Sequence, residues 1–315
     1  MKKLIGNTPL IAIKYKEKEA EKTIYAKLEY YNLTGSIKDR IVYNILTEAT
    51  DKNELKPNQP IIEATSGNTG IALAAYGAYH KHPVYIFLPE WASKERINLL
   101  ELYGAKVNLV SRSDGGFKGC INKAQELAAQ IDGYYFNQFA NQKNAQTHYQ
   151  ETALEIITKL KNVGAFVSGI GTGGTFTGIA KRLKEYKPSI KTIALEPENI
   201  PILSGGKIKG PHKIAGIGDD FIPEIVDTDL IDEVVTVSDE QAIEMAQKLA
   251  RELGLAVGIS SGANIYAAIK ANQNNDIVTI MVDDAKKYLS TDLINQVSKL
   301  DQNLNSIDFI SYETL

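Results

Sequence analysis

Apolar and polar positions along this chain switch between two periods. Short β-branched runs alternate with stretches whose apolar residues recur every three or four positions. Residues 24–28 (IYAKL) read as a strand, and Ile41, Ile45 and Leu46 then fall at helical spacing. Residues 61–64 (IIEA) predict another strand, followed by a glycine turn and a helix over about 70–79. Strands at 84–88 (VYIFL) and 107–110 are each followed by a helix, over about 94–103 and through Ala124 and Leu127. Then come a strand at 165–168, a glycine turn, a helix through Ile179 and Leu183, and strands at 192–195, 233–237 and 277–282. This alternation predicts an α/β fold of open, mostly parallel sheets covered by helices. Such sheets bind ligands at the carboxyl ends of their strands.

At 315 residues the chain exceeds one average domain, so two α/β domains sharing a cleft are expected. No linker marks the join. The boundary is placed at 143/144, giving domains 1–143 and 144–315, with residues about 11–32 free to cross to the second. The hydrophobic share of 43%, the charged share of 23% and a net charge of −3 are those of a soluble globular protein. They point to neither a nucleic-acid nor a membrane partner. MKKLIGNTPL lacks a signal-peptide apolar run. The single cysteine excludes an internal disulfide, and the four histidines are scattered. A cytoplasmic protein without a structural metal is expected.

Four motifs sit where strands give way to helices. Asn32-Leu33-Thr34-Gly35-Ser36-Ile37-Lys38-Asp39-Arg40 puts Lys38 in the first turn of a helix. A cation at the positive end of a helix dipole is misplaced, which favours the neutral amine that forms Schiff bases. Thr65-Ser66-Gly67-Asn68-Thr69-Gly70 offers amides and hydroxyls as a carboxylate cradle, with an N-cap cluster as the plainer alternative. Gly169-Ile170-Gly171-Thr172-Gly173-Gly174-Thr175 resembles a dinucleotide fingerprint, and Glu196 closes the next strand where a ribose-binding acid would stand. Thr172 and Thr175 add hydroxyls that suit a compact dianionic monophosphate, so we read the turn as a phosphate cup. Gly258-Ile259-Ser260-Ser261-Gly262-Ala263 opens a helix through Ile265, Ala268 and Ile269, where a simple cap is again the alternative.

In this order the motifs resemble the pyridoxal 5′-phosphate (PLP) enzymes of fold type II, the tryptophan synthase β-like class. Within it they resemble the cysteine synthase (O-acetylserine sulfhydrylase) and cystathionine β-synthase family. The resemblance runs from IGNTPL (5–10) to KYLST (287–291) and includes PEWASKER (89–96), LLELYGAKV (99–107), QFANQKN (138–144) and HKIAGIG (212–218). It implies an active site in the cleft between two domains, a homodimer, and a serine acetyltransferase as candidate partner. On matching positions it implies Lys38 as the Schiff-base lysine and the acid/base at the substrate α-carbon. Asn68 is expected on the cofactor's ring hydroxyl, and Gly171, Thr172, Gly173, Gly174 and Thr175 around its phosphate. Ser261 is expected at the pyridine nitrogen. Thr65, Ser66, Thr69 and Gln138 should hold the substrate carboxylate, with Ser66 also among the catalytic groups and Phe117 and Gly216 lining the substrate pocket. A neutral serine at the ring nitrogen makes a weaker electron sink than an aspartate, so loss of a β-substituent competes well. The implied path leads through an aminoacrylate that a nucleophile attacks.

Several positions depart from the family pattern. Asp219-Asp220 stands where cysteine synthases usually carry Ala-Gly, whereas cystathionine β-synthase has an aspartate at the second place. Thr147-His148-Tyr149 also leans toward the latter, while LSGG (203–206) and SSGA lean toward the former. The haem extension and regulatory domain of the animal cystathionine β-synthase are not expected. A carboxylate near the intermediate repels sulfide or thiolate and can serve as general base for water or a neutral thiol. Asp220, with Asp232, is therefore expected to make L-cysteine the donor, releasing hydrogen sulfide and giving L-serine or a thioether, with solvated loop carboxylates as the plainer alternative for both. The alternatives are cysteine synthesis from O-acetylserine and sulfide, serine–homocysteine condensation, and a non-catalytic regulatory paralogue. Phe117 replaces a usual Met and narrows the pocket, and Cys120 reads as small core filler. Ala285-Lys286-Lys287 replaces a usual Gly-Glu-Arg, from which no consequence follows at the level of sequence.

Overall fold

The computed structural model describes residues 1–272, 274, 276–295 and 304–315. An antiparallel hairpin comes first, β1 (Leu10–Glu17) with β2 (Ala20–Leu28). After α1 (Lys38–Asp51) the chain alternates: β3 (Ile61–Ala64), α2 (Asn68–His80), β4 (Val84–Pro89), α3 (Lys94–Leu102), β5 (Lys106–Val110), α4 (Gly116–Gln130) and β6 (Tyr134–Tyr135). These four strands form one parallel sheet, in the order β5-β4-β3-β6. Then α5 (Lys143–Thr147) runs through a π-turn at His148–Thr152 into α6 (Ala153–Lys159).

The second alternating region holds β7 (Ala165–Gly169), α7 (Gly174–Tyr186), β8 (Lys191–Pro197), β9 (Glu233–Val237), α8 (Asp239–Leu253), α9 (Ile259–Ala271) and β10 (Ile277–Met281), followed by β11 (Ile307–Thr314). The sheet order is β11-β1-β2-β10-β7-β8-β9, parallel except for the pairs β1–β2 and β1–β11. By its pairing, the hairpin of residues 10–28 belongs to this larger sheet.

Helices cover both faces of each sheet, which is why β4, β7 and β10 are apolar along almost their whole length. Ile61, Ile86 and Leu100 pack in one core, and Leu195, Ile265 and Met281 in another. Each such side chain contributes roughly 1.5–3 kcal/mol on burial. Cys120 belongs to the apolar layer under α4, and burial pushes its thiol up to about 12, so it is filler and not a nucleophile.

The turns after β3 and β7 leave the carboxyl ends of their strands, and Lys38 is anchored between them. Asp39 accepts the Thr34 amide and hydroxyl at 3.0 and 2.8 Å, which closes the loop before the lysine. Arg40 reaches Glu29 at 2.6 Å and Glu155 at 2.7 Å, and Lys27 pairs with Glu155 at 2.6 Å. Two cations thus balance two anions inside the protein, an arrangement intolerant of losing one partner. Among the described residues no helix is long and apolar enough to cross a membrane, and no His/Cys/Asp/Glu group could hold a metal ion.

Candidate active site

An inner cavity of about 80 Å³ opens into an outer one of about 970 Å³, and Ser66, Phe117, Ala215, Gly216, Ile217 and Asp219 line both. Lys38, Thr65, Asn68, Thr69, Gln138, Gly171, Thr172, Gly173 and Thr175 line the inner one. The fold therefore brings one lysine, the cradle and the cup together from separate turns.

Lys38 opens α1, yet the cause of its altered titration is not the one its sequence context suggests. Burial pulls its amine down to about 8, and Asp219 pulls it back up. Desolvation, not the helix end, makes the neutral amine accessible.

The cup is the N-terminus of α7, where backbone amides and the helix dipole favour an anion. Gly173 sits at φ +87°, in the left-handed region, and a Cβ there would lie 2.4 Å from Val226. At Gly174 a Cβ would lie 1.9 Å from the Asn144 side-chain oxygen, which has no hydrogen-bond partner. Thr172 accepts a bond from Asn144 Nδ2 at 3.0 Å, so its own proton is left to donate. Thr175 Oγ1 lies 3.2 Å from His148 Nε2, and burial with nearby Lys38 pushes His148 down to about 3. A neutral imidazole with the proton on Nε2 leaves the Thr175 proton free as well. The π-turn carries His148 to this place, a common setting for such irregularities.

The cradle is already knitted. Thr65 Oγ1 accepts the Gly67 amide at 3.0 Å, Thr69 donates to Gln138 Oε1 at 2.6 Å, and Gln138 Nε2 donates to the Ala64 carbonyl at 2.9 Å. Beneath it Glu63 accepts the Ala64 and Gln138 amides, and burial pushes its carboxyl up to about 8, so it stands neutral. Ser66 is half-buried and faces both cavities. Phe117 meets Phe139 edge-on at 5.6 Å, and Phe139 lies 5.4 Å from Phe221, forming an aromatic wall.

Three expectations are corrected. Ser261 is fully buried, and its hydroxyl accepts the Val282 amide at 2.9 Å; its neighbour Ser260 lines the inner cavity instead. At the start of a helix, adjacent serines differ by about 100° in direction, which sequence alone does not resolve. Asp220 points outward, half-exposed, and pairs with Lys118 at 3.1 Å; Asp219 is the carboxyl that shares the inner cavity with Lys38. Burial and the adjacent Asp220 push Asp219 up to about 7, while Lys38 pulls it down. Asp232 lies outside both cavities, at the amino ends of β8 and β9, bonded to the Thr192 amide at 2.7 Å and to Lys184 at 2.6 Å. Strand direction explains the miss, because ligand turns leave the opposite ends of these strands.

Residues that sequence reasoning passed over complete the site: Asp219, Ser260, His148, Glu63, and the buried group Arg96, Asp283 and Lys287. His148, the aspartate pair and Lys287 carried a signal, as departures from a pattern.

Comparison with known proteins agrees with this geometry. A family model described as pyridoxal-phosphate dependent enzyme matches residues 1–283. A cysteine synthase of Staphylococcus aureus is 40% identical over 296 residues, covering 92% of this chain and 95% of that one. A probable cysteine synthase of Bacillus subtilis is 42% identical over 299 residues, covering 92% and 96%. Among solved structures, a hydrogen sulfide-producing enzyme of Fusobacterium nucleatum superposes with a TM-score of 0.94 at 46% identity, covering 100% of this chain and 98% of that one. An aspartate-to-asparagine mutant of that enzyme has been seen in complex with an α-aminoacrylate intermediate. The donors present suit a phosphate-bearing aldehyde, with a cup at one end and a lysine amine within the same cavity. This chain belongs to the pyridoxal-phosphate dependent enzymes, as a fold type II member of the cysteine synthase family.

Proposed function

We propose that this enzyme releases hydrogen sulfide from L-cysteine, with water replacing the thiol to give L-serine or a second thiol replacing it to give a thioether. The observation that carries the proposal is the Asp219 carboxyl, which shares the inner cavity with Lys38 and titrates at about 7. A base of that strength takes a proton from water or a neutral thiol near neutral pH. The same negative charge repels sulfide, the nucleophile that cysteine synthesis needs.

PLP, when bound, supplies an electron sink for the substrate α-carbon. The chain's own groups do the rest. Lys38 moves the α-proton, and the low pKa that burial gives it keeps a useful neutral fraction. The turn at Thr65, Ser66 and Thr69, with Gln138, holds the α-carboxylate. Thr172, Thr175 and the amides of Gly171, Gly173 and Gly174 hold the phosphate. Asn68, which lines the inner cavity, would meet the cofactor's ring oxygen, and Ser260 would offer its hydroxyl to the ring nitrogen. Asp219 takes the proton of the nucleophile as it reaches the β-carbon, with Phe117 and Gly216 walling the pocket. The cleft lies between the halves 1–143 and 144–315, the segment 11–32 counting with the second.

Incubation with L-cysteine alone, with L-cysteine plus a second thiol, and with O-acetylserine plus sulfide tests the proposal, each product being identified. Sulfide with equimolar serine, or sulfide with a thioether, is expected from the first two. Turnover only in the third overturns it. The third outcome is the alternative favoured by the relatives named cysteine synthase, and a serine acetyltransferase partner belongs with that alternative. A homodimer is part of the same proposal. Tyr31 and Tyr312, both exposed near Tyr30, are a candidate contact surface, and sedimentation of the holoenzyme checks it.

A further inference from the structure

We infer that Lys287 is a positioning residue that fixes the amide of Asn68 and thereby the ring end of the cofactor site. Lys287 matters in this way only if Asn68 meets the cofactor, as proposed above. It closes the short turn Ala285–Lys287 after β10 and is almost wholly buried, 2% exposed. Its ammonium donates to Asn68 Oδ1 at 3.0 Å and to the Gly35 carbonyl at 3.0 Å.

An ammonium has donors only, so it commits the oxygen end of the Asn68 amide. The nitrogen end is claimed separately: Asn68 Nδ2 donates to Asp283 Oδ2 at 2.7 Å. Asp283 is fully buried and held in turn, accepting the Tyr288 hydroxyl at 2.8 Å beside Arg96 at 3.8 Å. A cation on the oxygen and a carboxylate on the nitrogen exclude the flipped amide, and one Asn68 N–H remains unassigned. A ring oxygen carrying negative charge needs that donor; a flipped Asn68 would present an oxygen and repel it.

The contact with Gly35 extends the effect. Gly35 lies three residues before Lys38, in the loop that Asp39 closes, and the loop's Ser36 is bridged to Asp283. One buried cation therefore ties the residue beside the ring to the loop carrying the reactive lysine. Its backbone oxygen also accepts the Ser93 hydroxyl at 2.7 Å, at the start of α3. The anionic groups facing it are Asp39, Asp283 and Asp284, with Arg96 the opposing cation. Lysine or arginine meets the demand for a buried donor at this place; a neutral apolar side chain does not.

A double-mutant cycle tests this, using Lys287→Met, Lys287→Arg, Asn68→Ala and the Lys287→Met/Asn68→Ala pair. Two readouts are taken: the PLP dissociation constant of the stripped full-length protein, and the visible absorption band of the holoenzyme as a function of pH. Lys287→Met should weaken PLP binding about tenfold and shift the band, the scale of one lost hydrogen bond to a charged group. Lys287→Arg should restore both. In the Asn68→Ala background Lys287→Met should cost less than about twofold. Full additivity of the two losses would mean that Lys287 acts structurally and would overturn the inference. So would an unchanged Lys287→Met protein. A silent Asn68→Ala would overturn the assignment of Asn68 itself, which separates the two failures. Should Lys287→Met not fold, Lys287→Leu, which likewise removes every donor, carries the same comparison.

Discussion

The turn at residues 169–175 and the loop at 212–223 both border the inner cavity, and they differ in how fully each is held. The first is over-determined. Gly173 is held in the left-handed region against Val226, and Thr172 and Thr175 are backed by Asn144 and a neutral His148. The second is tied down at a few points: the Gly218 amide donates to the Ile170 carbonyl at 3.0 Å, the Lys213 amide donates to Asp239 at 2.7 Å, and Ile214 and Ile217 enter the core. His212 Nε2 donates to the Gly218 carbonyl at 3.0 Å, and its Nδ1 accepts the Ile214 amide at 3.2 Å; across the cleft the exposed Lys118–Asp220 pair and the phenylalanine wall restrain it. Cofactor binding is a fixed requirement and tolerates rigidity. Choice of nucleophile is adjustable, and it is written at Asp219 and Asp220, just beyond the Gly218–Ile170 bond that joins the loop to the cup.

Breaking the rigid side should cost most. Lys38→Ala removes the group that moves the α-proton, and kcat for sulfide release should fall by more than about 10³-fold. A shift of the visible cofactor band should accompany it. Gly173→Ala forces a Cβ into Val226 at a positive φ. Strain of this kind costs about 1–3 kcal/mol, so PLP affinity should drop by roughly ten- to a hundredfold in equilibrium titration, with Gly216→Ala as a milder control. Gly216 also has a positive φ, +93°, but nothing lies within 4 Å of its added methyl. If the two glycine variants bind PLP equally, the contrast between turn and loop is lost.

On the adjustable side, Asp219→Asn should lower kcat for sulfide release by about 10²-fold, the scale of a lost general base. The sign of its pH dependence follows from the raised pKa. Asp219 works deprotonated, so the parent rate should climb as pH rises through about 7 and fall away below it. That limb near 7 should vanish in the variant, leaving only the rise toward about 8 that Lys38 contributes, measured as kcat across pH 5.5–9. Cysteine synthesis from O-acetylserine and sulfide, if present at all, should improve, because the like charge is gone.

Much of this was legible in the sequence, and the part that was not has a physical reason. Strand–helix alternation and the glycine turns are local, so the strands, the turn at 169–175 and the helix that Lys38 opens could be placed from spacing. The Leu10–Glu17 strand was passed over, although its apolar run Leu10 to Ile13 is as continuous as the strand at 84–88. Which member of an adjacent pair faces the cavity was also hidden. Ser260 against Ser261 and Asp219 against Asp220 depend on backbone direction, and their residue types are identical. Asp283, Lys287 and Arg96 belong to a network that exists only once distant turns meet. Here the departure from Gly-Glu-Arg did mark a site: Lys287 reaches Asn68 across 219 positions.

The smallest expected effect sharpens the comparison most. Asp220 sits one residue from Asp219, yet its carboxylate is spent on Lys118 at the mouth of the outer cavity. Both partners are substantially exposed, and such pairs contribute about 0–1 kcal/mol. Asp220→Asn should therefore change kcat by less than about threefold. A modest rise in KM is expected where the ion pair holds the loop against α4, and it should disappear at about 1 M salt, which screens exposed pairs. Asp220 also helps hold Asp219 up near 7 by like-charge repulsion, so its removal should move the acid limb to lower pH without abolishing it. A displaced limb after Asp220→Asn and an absent one after Asp219→Asn would assign the proton to Asp219 alone. A kcat loss in Asp220→Asn as large as that in Asp219→Asn would mean that the two carboxylates act as one unit, and that the loop is as tightly built as the cup.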